Sequence, residues 1–148
     1  LSASNAFETL LLQHIFQNAD IANVGDATGL RGSTTAGSLH VSLHTADPGE
    51  TGAQNTSEAS YTGYARQAVA RSGAGWTVSG NNASNAAAIA FGPCTAGSAT
   101  ITHFGIGTAS SGAGNLLFKG AFGASFSVTT SSNVTQTFAI GALEVDVE

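Results

Sequence analysis

From Ser38 onward, apolar and polar residues alternate in short runs, and Gly, Pro, Asn or Ser interrupts each run. A helix does not survive breakers at that frequency, and a period of two sends successive side chains to opposite faces of a strand. Strands are therefore predicted over residues 39–45, 65–70, 76–79, 86–91, 100–106, 115–118, 126–130 and 135–140, with a further piece at 143–147. Ser79-Gly80-Asn81-Asn82, Gly112-Ala113-Gly114 and Gly123-Ala124 read as turns. Such a series predicts a mainly β fold, an antiparallel β-sandwich. Jelly-roll-like is the first reading and immunoglobulin-like the second.

A different pattern precedes these strands. Asn5 with Glu8 three residues later reads as a capping box, and Phe7, Leu10, Leu11 and Ile15 follow at helical spacing. One N-terminal α-helix is predicted over about residues 4–18. Leu12 and Phe16 fall on its far side, leaving Thr9, Gln13 and Gln17 as a polar strip. The expectation is that the Leu10 stripe docks on the protein's own sheet, while Leu12 and Phe16 meet a second subunit or a shell. Residues 20–37 lose periodicity and collect Gly25, Gly29, Gly32 and Gly37, which reads as an arm that needs a neighbour to order it. The organisation is a single domain: a helix and Gly-rich arm over 1–37, then a β-sandwich over 38–148.

Charged residues make up only 9% of the chain, against about 25% in ordinary soluble domains, while 42% hydrophobic content excludes a disordered polar chain. Ser, Thr, Asn, Gln, Ala and Gly must cover the surface instead. With a net charge of -5 and only Arg31, Arg66, Arg71 and Lys119 as cations, neither nucleic acid nor an anionic membrane is an expected partner. Cys94 is alone, so no intrachain disulfide forms.

Several candidate sites lack the spacing their chemistry needs. On a strand, His40 and His44 stand about 13 Å apart and cannot chelate one ion. They are expected on the solvent face of their strand; His103, with Asp47 or Glu50, could supply distant ligands, but nothing in the sequence fixes that meeting. Ser42, His44 and Asp47 compose a catalytic triad on paper, yet Ser42 and His44 lie about 6.6 Å apart along the strand, without a strained nucleophile turn. Asp47, Glu50, Glu58, Glu144 and Asp146 offer carboxylates with nothing to set a pair at hydrolytic distance. Gly105-Ile106-Gly107 precedes no helix, so it reads as loop glycines and not a phosphate-binding fingerprint. Asp47-Pro48-Gly49 reads as a structural turn, with Pro48 pre-set for it and Gly49 free to take positive φ. Arg66 is the expected ion-pair partner of Asp47. Trp76, Tyr61, Tyr64 and the phenylalanines are expected in cores and interfaces. No catalytic residue, cofactor or metal is assigned, and the chain is not expected to be an enzyme.

The series from Val41 to Gly52 (VSLHTADPGETG), then Tyr61 to Arg66 (YTGYAR), then Gly75 to Gly80 (GWTVSG), resembles a group of small structural proteins of tailed bacteriophages. These are often labelled tail fibre or minor structural proteins. The likeness is strong over residues 39–91 and continues more loosely through Thr102 to Gly107. It implies a protein made in the host cytoplasm and built into the virion. Within that group, a short chain without repeats or heptads favours a capsid decoration or cement protein that bridges copies of the major capsid protein and associates with itself as a dimer or trimer. A tail fibre or tail-tip component is the alternative, and a carbohydrate-binding module or a hydrolase ranks below both.

Overall fold

The structure is a computed structural model and describes residues 2–25, 29–131 and 135–147. It is mainly β, with antiparallel sheets and one N-terminal helix, as expected. The elements are α1 (Asn5–Gln17), β1 (Ser38–His44), β2 (Gln67–Ala70), β3 (Trp76–Ser79), β4 (Asn82–Asn85), β5 (Ile89–Ala90), β6 (Ser98–Gly107), β7 (Leu116–Thr129), β8 (Thr137–Phe138) and β9 (Glu144–Asp146). They form sheets in the orders β2-β1-β6-β7, β3-β4-β9 and β5-β8. Two compact units result: one of Leu1–Ser38, Val69–Ile89 and Phe138–Glu148, the other of Leu39–Ala68 and Ala90–Thr137.

In the first unit α1 starts one residue earlier than the Asn5-Glu8 pattern suggests. Ser4 is the N-cap, and its Oγ accepts from the Phe7 backbone N–H at 3.3 Å. Glu8 thus falls one position too late to reach back as the second half of a capping box. Asn18 closes the helix in the left-handed region at φ 59°. Trp76 to Ser79 and Asn82 to Asn85 pair as a hairpin around Gly80-Asn81, with Gly80 at φ 62°, and β9 extends it along β4.

The helix turns the opposite way from the expected one. Leu12 and Phe16 are fully buried, and the Phe16 ring meets Trp76 edge to face at 4.7 Å between centroids. Phe7 and Leu10 remain exposed instead. Leu12 and Phe16 are therefore core, and their assignment to an external interface is corrected. The polar strip decides the rotation. Thr9 Oγ1 donates to the Gly80 carbonyl at 2.8 Å, and Gln17 Nε2 donates to the Trp76 carbonyl at 3.0 Å. Both sit beside Leu12 and Phe16, so that face satisfies backbone acceptors of β3 and its turn while it buries the larger rings.

The Gly-rich arm is tied down within the same unit. Ile21 is fully buried and exchanges both backbone hydrogen bonds with Leu30, while Asn18 and Asp20 bind the backbone at Ser33 and Gly32. Arg71 donates to the carbonyls of His14, Ile15 and Ala36. Two of these are the otherwise unpaired acceptors near a helix C-terminus.

In the second unit β1 lies inside its sheet, between β2 and β6. Val41 stands opposite Ile106 and Leu43 opposite Phe104. The runs predicted at 115–118 and 126–130 are one strand, β7, with Gly123-Ala124 inside it. A register shift opposite Ile101 and His103 absorbs the extra residues.

Candidate functional site

The polar residues of β1 are the natural place to look for chemistry, and the structure puts them indoors. Ser42 and His44 share a face and are both fully buried. Ser42 Oγ lies 2.8 Å from His44 Nε2, and His44 Nδ1 lies 2.8 Å from the Thr56 carbonyl. A carbonyl only accepts, so Nδ1 carries the ring proton and Nε2 accepts from the Ser42 hydroxyl. The spacing of about 6.6 Å describes the backbone; side chains leaning along a strand close that gap. The wet-face expectation is corrected too. An interior strand has neighbours on both edges, and here both faces are covered, so of the alternate set only Ser38 and His40 keep partial exposure.

Room for this pair comes from a missing side chain. Gly105 faces Ser42 in the β1–β6 register, and a Cβ there would stand 3.0 Å from His44 Nε2 and 2.6 Å from Leu116 Cδ1. Gly107 similarly yields space to the side chain of Gln54. Gly105-Ile106-Gly107 therefore belongs to β6, and its reading as loop is corrected: the glycines serve close approach, not turning.

Arg66 organises the neighbouring loops. Its Nε and Nη2 meet Glu58 Oε1 and Oε2 at 2.6 Å each, a bidentate pair. Its remaining donors reach the Ala109 carbonyl at 2.9 Å and the Gly112 carbonyl at 2.6 Å. Tyr64 joins the cluster by donating to Glu58 Oε1 at 2.8 Å and accepting from the Leu43 N–H at 3.1 Å. Gln54, fully buried, adds a bond to the His40 carbonyl and one from the Ala109 N–H. The expected Asp47–Arg66 pair does not form. Asp47 pairs with Lys119 at 3.1 Å, which also meets Glu50 at 3.0 Å, all at the exposed rim. A guanidinium with a side chain 1% exposed requires a carboxylate that is itself withdrawn from water; Glu58 is, at 16%, and Asp47, at 51%, is not. The Asp47-Pro48-Gly49 turn is as expected: Gly49 takes φ 75° and donates its N–H to Asp47 Oδ1 at 2.8 Å.

Electrostatics follow burial. Desolvation lowers the His44 pKa below its ordinary value, against the raising effects of the Thr56 hydrogen bond and of Glu58. His40 is lowered by burial and then by Arg66. Burial pushes the Tyr64 hydroxyl up, and the Glu58 hydrogen bonds raise Arg66. The Ser42–His44 contact has the hydrogen bond of a nucleophile and its base, but the third partner is a main-chain carbonyl and the hydroxyl is shut off from solvent. What the cluster does is stitch β1, the 53–66 loop and the 108–115 loop into one unit. Among the described residues no three His, Cys, Asp or Glu side chains gather as metal ligands, and no helix is long and apolar enough to cross a membrane.

Tyr64 and Arg66 of this cluster, and the Trp76–Gly80 stretch of the other unit, lie within the segments whose order first suggested a phage protein. The family model of podophage GP4 fiber I protein gp80 matches residues 2–146. The chain belongs to this family. It is a phage structural protein, and the matched span takes in nearly all of both compact units. A search of curated proteins finds no match. For this fiber I family member the buried cluster is where sequence reading fell short. Glu58 and Gln54 sit in a polar loop without periodicity, and neither carries a local signal of burial.

The same cluster sets a pH dependence. Both His40 and His44 have folded pKa values below the ordinary 6.5. As pH falls the unfolded chain takes up protons first, so folding stability is lost on going below that value. Thermal melts at about pH 7.5 and about pH 5 are expected to show a lower Tm at the acid value. His44→Asn should flatten that difference, leaving the His40 part. An unchanged slope in the variant would assign the acid sensitivity elsewhere.

Proposed function

We propose that this chain is a non-enzymatic subunit of the fibre apparatus of a phage virion, packing against other virion proteins and copies of itself. The observation that carries the reading is the family match over residues 2–146, in a family described as a fiber protein. Two physical features support it. A surface poor in Lys and Glu resembles the centres of protein interfaces, where such residues are depleted because desolvating them costs more. Loops pinned by Arg66 and Gln54 present a fixed shape, which lowers the ordering cost of association.

Capsid decoration is the second reading, favoured by the absence of heptads or repeats that would let these 148 residues span distance. Gold-conjugated antibody against the purified chain, applied to intact virions, separates the two. Labelling confined to the tail region is expected. Labelling spread over the shell would make decoration the function, and a chain absent from purified particles would end both readings.

A further inference from the structure

Glu8 has no task in the fold described so far. Its side chain belongs to a residue only 8% exposed, and no hydrogen bond or ion pair reaches the carboxylate among the described residues. Its stem is covered, while the carboxylate oxygens keep some contact with water in place of a protein partner. Glu8 lines a cleft of about 420 Å³ at the start of α1, with Ser2, Ala3, Asn5, Gly80 and Asn81. The helix begins here, and its positive end favours a negative charge in the first turn. That field donates no hydrogen bond to the Glu8 oxygens.

The other lining groups are neutral, and several can accept. Asn81 uses its Nδ2 on the Val147 carbonyl at 3.2 Å, which leaves its Oδ1 as an acceptor. Ser2 and Asn5 add a hydroxyl and an amide, both exposed at the rim. Among the described residues of this unit no Arg or Lys side chain is free to enter: Arg71 is spent on helix and arm carbonyls, and Arg31 pairs with Asp20.

We propose that this cleft is a binding site for a cationic nitrogen group, a guanidinium or primary ammonium, with Glu8 as its counter-ion and neutral acceptors around it. One carboxylate among neutral oxygens suits a monovalent donor with several N–H groups; a divalent metal asks for more anionic ligands. The site does not depend on the fibre assignment. Within a virion such a group arrives as an Arg or Lys side chain of a neighbouring protein, and in solution as a free small amine.

Amide chemical shifts of the whole chain, followed during titration with methylguanidinium chloride, test the site. Saturable shifts at Asn5, Glu8 and Asn81 are expected, to be absent when sodium chloride replaces the probe and lost in Glu8→Gln. Ser2→Asp, which adds a second carboxylate at the rim without touching the core, is expected to tighten binding several-fold. That arm decides the matter if Glu8→Gln does not fold. A blocked Gly-Arg-Gly peptide identifies the source: binding at least as tight as the free probe points to a side chain, and failure to bind points to a small free cation. Shifts that sodium chloride reproduces, that survive in a folded Glu8→Gln variant, or that Ser2→Asp leaves unchanged would overturn the proposal.

Discussion

Replacing Arg66 with Met is expected to destabilise the protein by about 3 kcal/mol, the lower end of the cost of removing one member of a buried ion pair. The lower end applies because Glu58 retains some contact with water. The loss has two parts. Glu58 keeps a withdrawn charge with Tyr64 as its remaining donor, the Ala109 carbonyl loses the Arg66 donor, and the Gly112 carbonyl is left with the Gly114 N–H. The double variant Arg66→Met with Glu58→Gln removes the stranded charge and should recover about 1 kcal/mol relative to Arg66→Met alone. Urea unfolding of the wild type, both single variants and the double variant provides the cycle. Strict additivity of the single effects would mean that the pair is not coupled. Hydrogen exchange in the 108–115 loop should accelerate in both variants lacking Arg66, since the guanidinium shares with Gln54 the bonds that tie that loop to its neighbours.

A larger effect is expected in the other unit. Leu12→Ser with Phe16→Ser removes two fully buried side chains beside Trp76. Truncating a buried Leu costs about 2–5 kcal/mol and a buried Phe about 3–5 kcal/mol. Together they approach the whole stability of an ordinary domain, about 5–15 kcal/mol. The chain has a single Trp, in this unit, so its fluorescence reports the unit's unfolding directly. Phe7→Ser with Leu10→Ser is the contrasting variant. Those positions are exposed, and surface changes of this kind stay within about 0.5 kcal/mol. If the Phe7/Leu10 variant unfolds and the Leu12/Phe16 variant does not, the helix is turned the other way in solution.

Local pattern was enough for several features because their causes are local. The helix ends where it should, at Ser4 and Asn18, since capping needs only neighbouring backbone. β3 matches its predicted bounds, and the Gly80-Asn81 turn follows, because positive φ at Gly80 is a property of that residue. Alternation placed Leu39, Val41 and Leu43 in the core. β4, by contrast, is Asn82-Ala83-Ser84-Asn85 and has no strand-forming signature; pairing with β3 on one side and β9 on the other makes it a strand. Its buried Asn85 receives the Leu143 N–H and donates to the Ala139 carbonyl, partners more than 50 residues away.

Sequence by itself determined that one helix precedes a series of short strands, where the Pro-Gly turn falls, and that a chain with so few charges presents a neutral surface. Tertiary structure alone decided which face of α1 is inside, that Arg66 belongs to Glu58 and not Asp47, and that Ser42 and His44 touch in a space left by Gly105. The division has one physical reason. Backbone dihedrals and caps depend on residues within a turn of one another, so a short window contains their causes. The pairing of a buried charge, or the choice between two apolar faces, depends on which acceptors and rings distant strands bring alongside, and those neighbours exist only once the chain has folded.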